Sequence, residues 1–118
     1  NLTRATLIGA NLKYAAASET LLREAALNRA NLLQADLRNA DLSDADLSGA
    51  YLAHANLEDS RVTRISLNNT NLNGANLQHL DLTDLDLTSA NLRNAKIRGA
   101  LFCRTQTAWG QDDTSCRE

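Results

Sequence analysis

Apolar residues recur along the chain at two positions of a five-residue period. Leucine holds the first position at 17 of 21 places from residue 2 to residue 102, and alanine holds the position two residues earlier at 14 of 21 places. A helix repeats about every 3.6 residues and a strand about every two, so neither element can keep both positions on one side. The pattern therefore predicts a chain that turns a corner every five residues.

Asparagine or aspartate stands between the two apolar positions at 12 of 21 places. This motif, A(N/D)LXX, resembles the pentapeptide-repeat family over residues 1–102. The resemblance implies an all-β fold, a right-handed quadrilateral β-helix of about five coils with four units in each coil. Leucine and the small residue would point inward, and the Asn and Asp side chains would satisfy backbone groups at the corners, as they do in turns.

A coil of four units would stack residues that are 20 apart, at about the spacing of neighbouring strands. Outward columns should then avoid stacking like charges. One column alternates in sign at every step but one: Arg4, Glu24, Asp44, Arg64, Asp84 and Arg104. A second column contains Asp41, Arg61 and Asp81, and a third places Arg38 below Glu58. We therefore expect Arg64 to lie between Asp44 and Asp84 on adjacent coils.

Two stretches depart from the repeat. Residues 15–27 lose the Asn/Asp position and place Ala17 where leucine is expected, so they fit either an irregular coil or a short amphipathic helix. Their register continues without a shift into the neighbouring units. Large residues occupy the small position only at Ile65, Leu80 and Leu85, where we expect them to thicken the core.

The repeat ends near residue 102, which divides the chain into a β-helix, 1–102, and a capping segment, 103–118. Repeat proteins need caps because an open coil exposes apolar side chains and unpaired strand edges. Trp109 is the residue bulky enough to lie over the end of the rod, beside Phe102. The first coil shows no matching cap, so either residues were removed before Asn1 or this end stacks on another molecule. We expect either a monomer or an end-to-end dimer through the N-terminal coil.

Cys103 and Cys116 are the only cysteines of the chain. A similar cysteine-bearing tail occurs in cyanobacterial and chloroplast-lumen members of the family that the motif resembles. The pair could form a disulfide, remain as buried thiols or join a metal site, for which the histidines lie far away in the repeats. A disulfide would favour the thylakoid lumen or the periplasm, and free thiols the cytoplasm.

Composition narrows the function further. Twelve basic and fourteen acidic side chains give a net charge of -2, which suits neither a basic nucleic-acid-binding surface nor a strongly acidic protein. No apolar run is long enough to span a membrane. The residues suggest no catalytic, cofactor-binding or metal-binding group, and His54 and His79 are interpreted as surface histidines without a carboxylate constellation.

One side of the rod carries few charges, and on it Tyr14, Leu33, Tyr51 and His54 form a possible interaction face. The sequence therefore predicts a non-enzymatic structural or protein-interaction module with an unknown protein partner, without a cofactor and without nucleic acid. The alternative, suggested by other members of the family it resembles, is a DNA-mimicking gyrase-binding protein. That function needs a strongly negative field, which interleaved arginines weaken.

Overall fold

A computed structural model describes residues 1–116 of the chain. Two short strands are continuous, β1 (Thr105–Thr107) and β2 (Gly110–Asp112), and they pair antiparallel. The rest of the described chain consists of turns and isolated parallel bridges, and it contains no helix. Residues 15–27 follow the same turn pattern, so the irregular-coil interpretation is correct and the short helix is not formed.

A tight turn closes almost every five-residue unit. The amide of Ala5 donates to the carbonyl of Leu2 at 2.9 Å, and Arg4, the second of the two residues between them, has φ +61°. A positive φ at the second central residue matches a type II turn. The same position has positive φ in all but one of the units from residue 4 to residue 104, including tyrosine and histidine. The corners thus hold many side chains in a conformation that glycine adopts more easily.

Parallel bridges link residues that are 20 apart, from Thr6 with Ala26 to Asp86 with Gln106. The chain is therefore a solenoid in which four turns make one coil of 20 residues. We number its four sides by the first coil: side 1 begins with residues 1–5, side 2 with 6–10, side 3 with 11–15 and side 4 with 16–20. Each later coil repeats the sides 20 residues on. The molecule measures 38 × 25 × 20 Å.

The interior is filled by the two apolar positions of the repeat. Leucines and alanines of the middle coils are buried almost completely, with Leu42 and Leu47 both 0% exposed. The inward orientation predicted for both positions is confirmed there. Large side chains at the small position are also inside the rod, since Ile65, Leu80 and Leu85 are all buried.

The Asn and Asp side chains hold the corners. Asp46 Oδ1 accepts a hydrogen bond from the amide of Ser48 at 3.0 Å, and Asn71 Oδ1 accepts one from the amide of Asn73 at 3.0 Å. The same contact recurs at every other Asn and Asp residue of this position. Because this amide lies at the turn, the side chain satisfies a donor that the chain leaves free.

The bridge ladder is interrupted on sides 1 and 2 between the coils 61–80 and 81–100. Bridges equivalent to those of Asp41 with Arg61 and Asp46 with Ser66 are absent one coil further on, within the described residues. Ile65 and Leu85 replace small residues on side 1, and Leu80 does so at the end of side 4, where the chain enters side 1. Larger side chains in a space that suits alanine push the two coils apart.

The tail folds back against the last coil. A disulfide joins Cys103 and Cys116, whose Cα atoms are 4.7 Å apart, and the amide of Ser115 donates to the carbonyl of Phe102 at 2.9 Å. The Trp109 ring packs on the Phe102 ring with centroids 6.1 Å apart, yet Trp109 is 59% exposed. Trp109 thus lies at the turn between β1 and β2, against Phe102 and largely exposed, and its role in covering the end of the rod stays a prediction.

The repeat register extends past residue 102. Thr105 and Thr107 occupy the small and leucine positions and are 0% and 3% exposed, and Gln106 bridges Asp86. The division after residue 102 stays a prediction, and residues 117 and 118 of the predicted capping segment lie outside the described residues. Ile97 and Leu101 remain 42% and 46% exposed, so the tail covers only part of the last coil. A helix that is long and apolar enough to cross a membrane does not occur in residues 1–116.

Candidate interaction surface

The four residues of the predicted interaction face all lie on side 3. Tyr14 and His54 sit at turn positions with φ near +60°, which directs their side chains outward, and Tyr14 is 63% exposed. Tyr51 is 41% exposed and lies in the middle of the ladder, bridging Asn31 below and Asn71 above. Leu33 is half-buried. The fold thus brings these four residues together on one side of the rod.

Side 3 keeps its coil-to-coil hydrogen bonds along the rod. The amide of Tyr14 donates to the carbonyl of Leu33 at 2.8 Å, and the amide of His54 donates to the carbonyl of Asn73 at 2.9 Å. The same pattern joins the last two coils, from Gly74 to Arg93 at 2.8 Å. This side is therefore a regular and rigid parallel ladder, in contrast to sides 1 and 2.

Glycine makes room for both histidine rings. A Cβ atom at Gly74 would overlap the ring of His54, and a Cβ at Gly99 would come within 2.6 Å of Cδ2 of His79. Both glycines stand 20 residues after the histidine, on the adjacent coil. Each imidazole thus leans along the rod over a glycine, which fixes the position of His54 within the face.

Charged side chains pair mainly on side 1. Arg64 donates two hydrogen bonds to Asp44, Nε to Oδ1 at 2.7 Å and Nη2 to Oδ2 at 2.9 Å. Arg104 makes the equivalent pair with Asp84, with Nε to Oδ1 at 2.7 Å. The expected stacking of opposite charges at a spacing of 20 is therefore correct, but Arg64 contacts only Asp44. Asp84 pairs with Arg104 instead, and the interrupted ladder separates Asp84 from Arg64.

Arg38 does not pair with Glu58 as its column suggests. Its guanidinium reaches back along the chain to Asp36, with Nη2 to Oδ2 at 2.7 Å and Nε to Oδ1 at 2.9 Å. Hydrogen bonds from the Arg38 side chain and then from its backbone amide lower the pKa of Asp36 to about 2. The pair with Asp36 is favoured because Nε and Nη2 of the Arg38 guanidinium both donate to the same carboxylate.

His79 lies in a carboxylate cluster, which corrects its interpretation as an isolated surface histidine. Nδ1 of His79 is 3.5 Å from Glu58 Oε2 and 3.4 Å from Asp59 Oδ1. A spacing of 20 could have revealed the contact, because Asp59 precedes His79 by one coil. One ligand atom from each of the three residues lies within 4.8 Å of the others, a spacing that could also hold a metal ion. The side chains are 32–52% exposed, and exposed acidic groups are common without a metal ion.

The arrangement favours binding over chemistry. Functional groups that could react lie on the outside of a rod whose interior holds leucine and alanine, and side 3 offers aromatic rings with few charges. Lys13 and Arg93 are the charged residues of this side, one near each end. Aromatic groups on a surface of low charge are typical of protein contacts.

Comparison with known proteins agrees with the geometry of the coils. A family model described as pentapeptide repeats matches residues 1–39, 20–59, 30–69 and 65–104. The chain belongs to the pentapeptide-repeat family. Proteins of this family form right-handed β-helices. The chain's described part is free of helix and built on parallel bridges, as a pentapeptide-repeat protein should be.

Solved structures of other pentapeptide-repeat proteins resemble it. One is a protein from the thylakoid lumen of Arabidopsis thaliana, 33% identical with a TM-score of 0.50, covering 85% of this chain and 59% of its own. Another is HetL from the cyanobacterium Nostoc, involved in heterocyst differentiation regulation, 26% identical with a TM-score of 0.41, covering 92% and 64%. The chain thus spans about three fifths of the length of these proteins. None of the curated protein sequences matches it significantly.

Proposed function

We propose that this pentapeptide-repeat protein is a non-enzymatic interaction module that binds a protein partner through side 3. The observation that carries the proposal is the unbroken ladder of side 3, which presents Tyr14, Tyr51 and His54 on a surface whose charges stand at its two ends. A rigid surface loses little conformational entropy on binding. Tyrosine supplies contact area with few rotatable bonds, which suits such a site.

The same proposal includes a right-handed quadrilateral β-helix of about five coils. Support comes from membership of the family and from the 20-residue spacing of the bridges. A lateral binding surface follows from this architecture, because each coil contributes the same side to one continuous strip.

Site-specific crosslinking tests the face. A photoreactive phenylalanine analogue is placed at Tyr51, and at Thr63 on side 1 of the next coil as a matched control, since both are exposed. In an extract of the source compartment we expect Tyr51 to give a defined adduct and Thr63 to give none. Combining the analogue at Tyr51 with His54→Asp should remove the adduct, because a charge would then stand inside the contact. Equal amounts of adduct from both positions would contradict the proposal.

Binding of gyrase by imitation of DNA is the weaker alternative. Arg64 and Arg104 pair with Asp44 and Asp84 in a column of side 1 that holds as many arginines as acidic residues, so this column forms no continuous negative strip. We therefore expect no effect on DNA supercoiling by gyrase at micromolar protein. Inhibition or protection of gyrase in that assay would favour the alternative.

We also propose that the protein works in an oxidising compartment, the thylakoid lumen or the periplasm. The proposal rests on the Cys103–Cys116 disulfide and on the similar protein of the Arabidopsis thylakoid lumen. Disulfides persist in oxidising compartments and are rare in the cytosol. Mass spectrometry of the native protein, alkylated before reduction, should find no alkylated cysteine. Two alkylated cysteines would instead place it in the cytoplasm.

A further inference from the structure

Basic residues gather on the lateral surface where side 3 turns into side 4 in the coil 81–100. Residues 87–111 hold four basic side chains and no acidic one. Arg104 pairs with an aspartate of side 1, which leaves Arg93 at the turn and Lys96 and Arg98 along side 4. All three are exposed, and none forms an ion pair within the described part of the chain. We call these three residues the basic patch.

The fold places no opposite charge beside the basic patch. One coil earlier, the equivalent positions hold neutral amide side chains, Asn73, Asn76 and Gln78. The acidic residue in the column of Arg98 is Glu58, two coils or about 10 Å away, where it contacts a histidine. The fields of the three cations add, because cations two or three residues apart lie within a Debye length, about 10 Å at 0.1 M salt.

The unbroken ladder holds the backbone of the basic patch. The amides of Leu77 and His79 donate to the carbonyls of Lys96 and Arg98 at 2.8 and 3.0 Å, and Arg93 accepts the equivalent bond on side 3 at 2.8 Å. The three cations therefore project from a fixed backbone. A ligand has to order only their side chains, which keeps the entropic cost of binding low.

Three cations are too few for a nucleic acid or a membrane. Proteins that bind DNA strongly contact about six to ten phosphates, and anionic membranes attract clusters of about four to eight basic residues. Carboxylates suit the patch better, since an arginine can donate two hydrogen bonds to one carboxylate. The adjoining positions of side 3 carry tyrosine and amides, which are typical of protein contacts.

We infer that the basic patch binds an acidic segment of a protein, with a carboxylate for each of Arg93, Lys96 and Arg98. The turn at Arg93 joins the patch to side 3 without a break, so one partner can contact both. The inference rests on the proposed function in taking this partner to be the protein that binds side 3. It adds the chemistry of the partner, which must carry clustered Asp or Glu next to a less charged contact surface.

A defined acidic peptide tests this chemistry on the protein alone. An acetylated hexaglutamate amide, titrated at low salt, should shift the amide resonances of residues 93–98 before those of side 1, where aspartates compete for the arginines. We expect a dissociation constant near ~1 mM, because exposed ion pairs are weak. Binding should disappear at about 0.5 M salt. The neutral hexaglutamine peptide is the control and should cause no shift.

Neutral variants assign the binding to the basic patch. Arg93→Gln, Lys96→Gln and Arg98→Gln should each weaken binding of the hexaglutamate peptide about threefold, and the triple change should abolish it. Lys13→Gln is the matched control, since Lys13 is an exposed cation of side 3 without an ion pair in the described residues. It should leave peptide binding unchanged. Circular dichroism melting checks that each variant is folded.

Crosslinking from Asn94, beside Arg93 at the turn, tests the native partner. A photoreactive phenylalanine analogue fits this position, because Tyr14 and His54 occupy it in other coils with the same positive φ. In an extract of the source compartment, the peptide attached to this analogue should contain clustered Asp or Glu. The triple change should reduce this adduct, and the adduct formed at Tyr51, at least about tenfold.

Failure of this inference can be told from failure of the proposed function. A Tyr51 adduct that keeps its full yield in the triple variant, or an Asn94 adduct without clustered acidic residues, would overturn the inference and leave binding through side 3 intact. An acidic adduct at Asn94 with none at Tyr51 would support the basic patch and contradict side 3. An Asn94 adduct to nucleic acid or lipid would overturn the inference, as would hexaglutamate shifts that are absent or equally large on side 1.

Discussion

At the scale of single residues, hydroxyl groups at the small position differ in what they contact. The Thr70 hydroxyl donates to the carbonyl of Leu47 at 2.8 Å, and Thr105 makes the same bond to Leu82 at 2.8 Å. The Ser60 hydroxyl is buried without a partner. Thr70 and Thr105 therefore each link two coils by a hydrogen bond. The Ser60 hydroxyl loses its hydrogen bonds to water on folding and gains none in the protein.

Replacing Ser60 by alanine should stabilise the protein. The change removes a buried hydroxyl that makes no hydrogen bond and introduces the commonest residue of this position, a gain of about 1 kcal/mol. Thr70→Val is the matched comparison, because it removes a satisfied hydroxyl and keeps the shape, and it should cost about 1 kcal/mol or more. Chemical denaturation with unchanged m values gives both differences. A loss of stability in Ser60→Ala would mean that its hydroxyl has a partner.

The lowered pKa values of several aspartates are a second property that depends on single residues. Hydrogen bonds from arginine and threonine side chains lower the pKa of Asp36, Asp44, Asp84 and Asp86. A carboxyl whose pKa is lower in the folded than in the unfolded protein stabilises the fold above its unfolded pKa. That stabilisation is lost as the pH falls through the folded value.

We therefore expect the contribution of these carboxylates to the free energy of unfolding to be constant above about pH 5 and to fall at lower pH. For Asp36 the loss occurs as the pH drops from its ordinary pKa of 3.8 toward about 2. Asp36→Asn retains an acceptor for the Arg38 amide but has no charge to titrate, so its melting temperature should decline less between these pH values. Thermal melting followed by circular dichroism measures the difference. Parallel acid profiles for both proteins would contradict the assignment of this contribution to Asp36.

At the scale of elements, the hydrogen-bond ladder is continuous on side 3 and interrupted on sides 1 and 2 beside Leu80 and Leu85. The amides of Asn71 and Asn76 donate to carbonyls of the preceding coil at 3.0 and 2.9 Å. Those of Asp81 and Asp86, which hold the equivalent position, have no such acceptor within the described residues. The rod should consequently open first at this seam, since local stability follows the bonds that must break.

Hydrogen exchange tests the seam. Protection factors of the Asp81 and Asp86 amides should be at least about tenfold lower than those of Asn71 and Asn76, whose side chains and turn positions are matched. Nuclear magnetic resonance or mass spectrometry with fine fragmentation resolves the four amides. Uniform protection along the coil would show that the large inward residues do not separate the coils.

At the scale of the whole molecule, the ladder of bridges is unbroken on sides 3 and 4 of the rod and interrupted on sides 1 and 2. The tail is fastened to the last coil by the disulfide and by the Ser115 amide, but Ile97 and Leu101 stay partly exposed beside it. The proposed function uses one of the unbroken sides, side 3, as a lateral strip for a different protein.

The sequence by itself determined the repeat. A period of five excludes a helix or a strand, and the resemblance of the motif to pentapeptide repeats implied the inward leucines, the corner Asn and Asp and the four-unit coil. The alternating charges of one column supported the stacking of residues 20 apart. That spacing also placed Tyr14, Leu33, Tyr51 and His54 on one side. These features are regular because each depends only on a residue's place within its unit.

Where several charged partners lie within reach of a side chain, only the tertiary structure decides which of them it contacts. Arg64 takes Asp44 and leaves Asp84 to Arg104, Arg38 turns back to Asp36, and His79 meets Glu58 as well as Asp59. The interrupted ladder and the exposure of Trp109 were likewise decided by the tertiary structure and not by the repeat. A column predicts candidates for contact, but side-chain reach and the local separation of coils, both set by packing, determine the pairs that form.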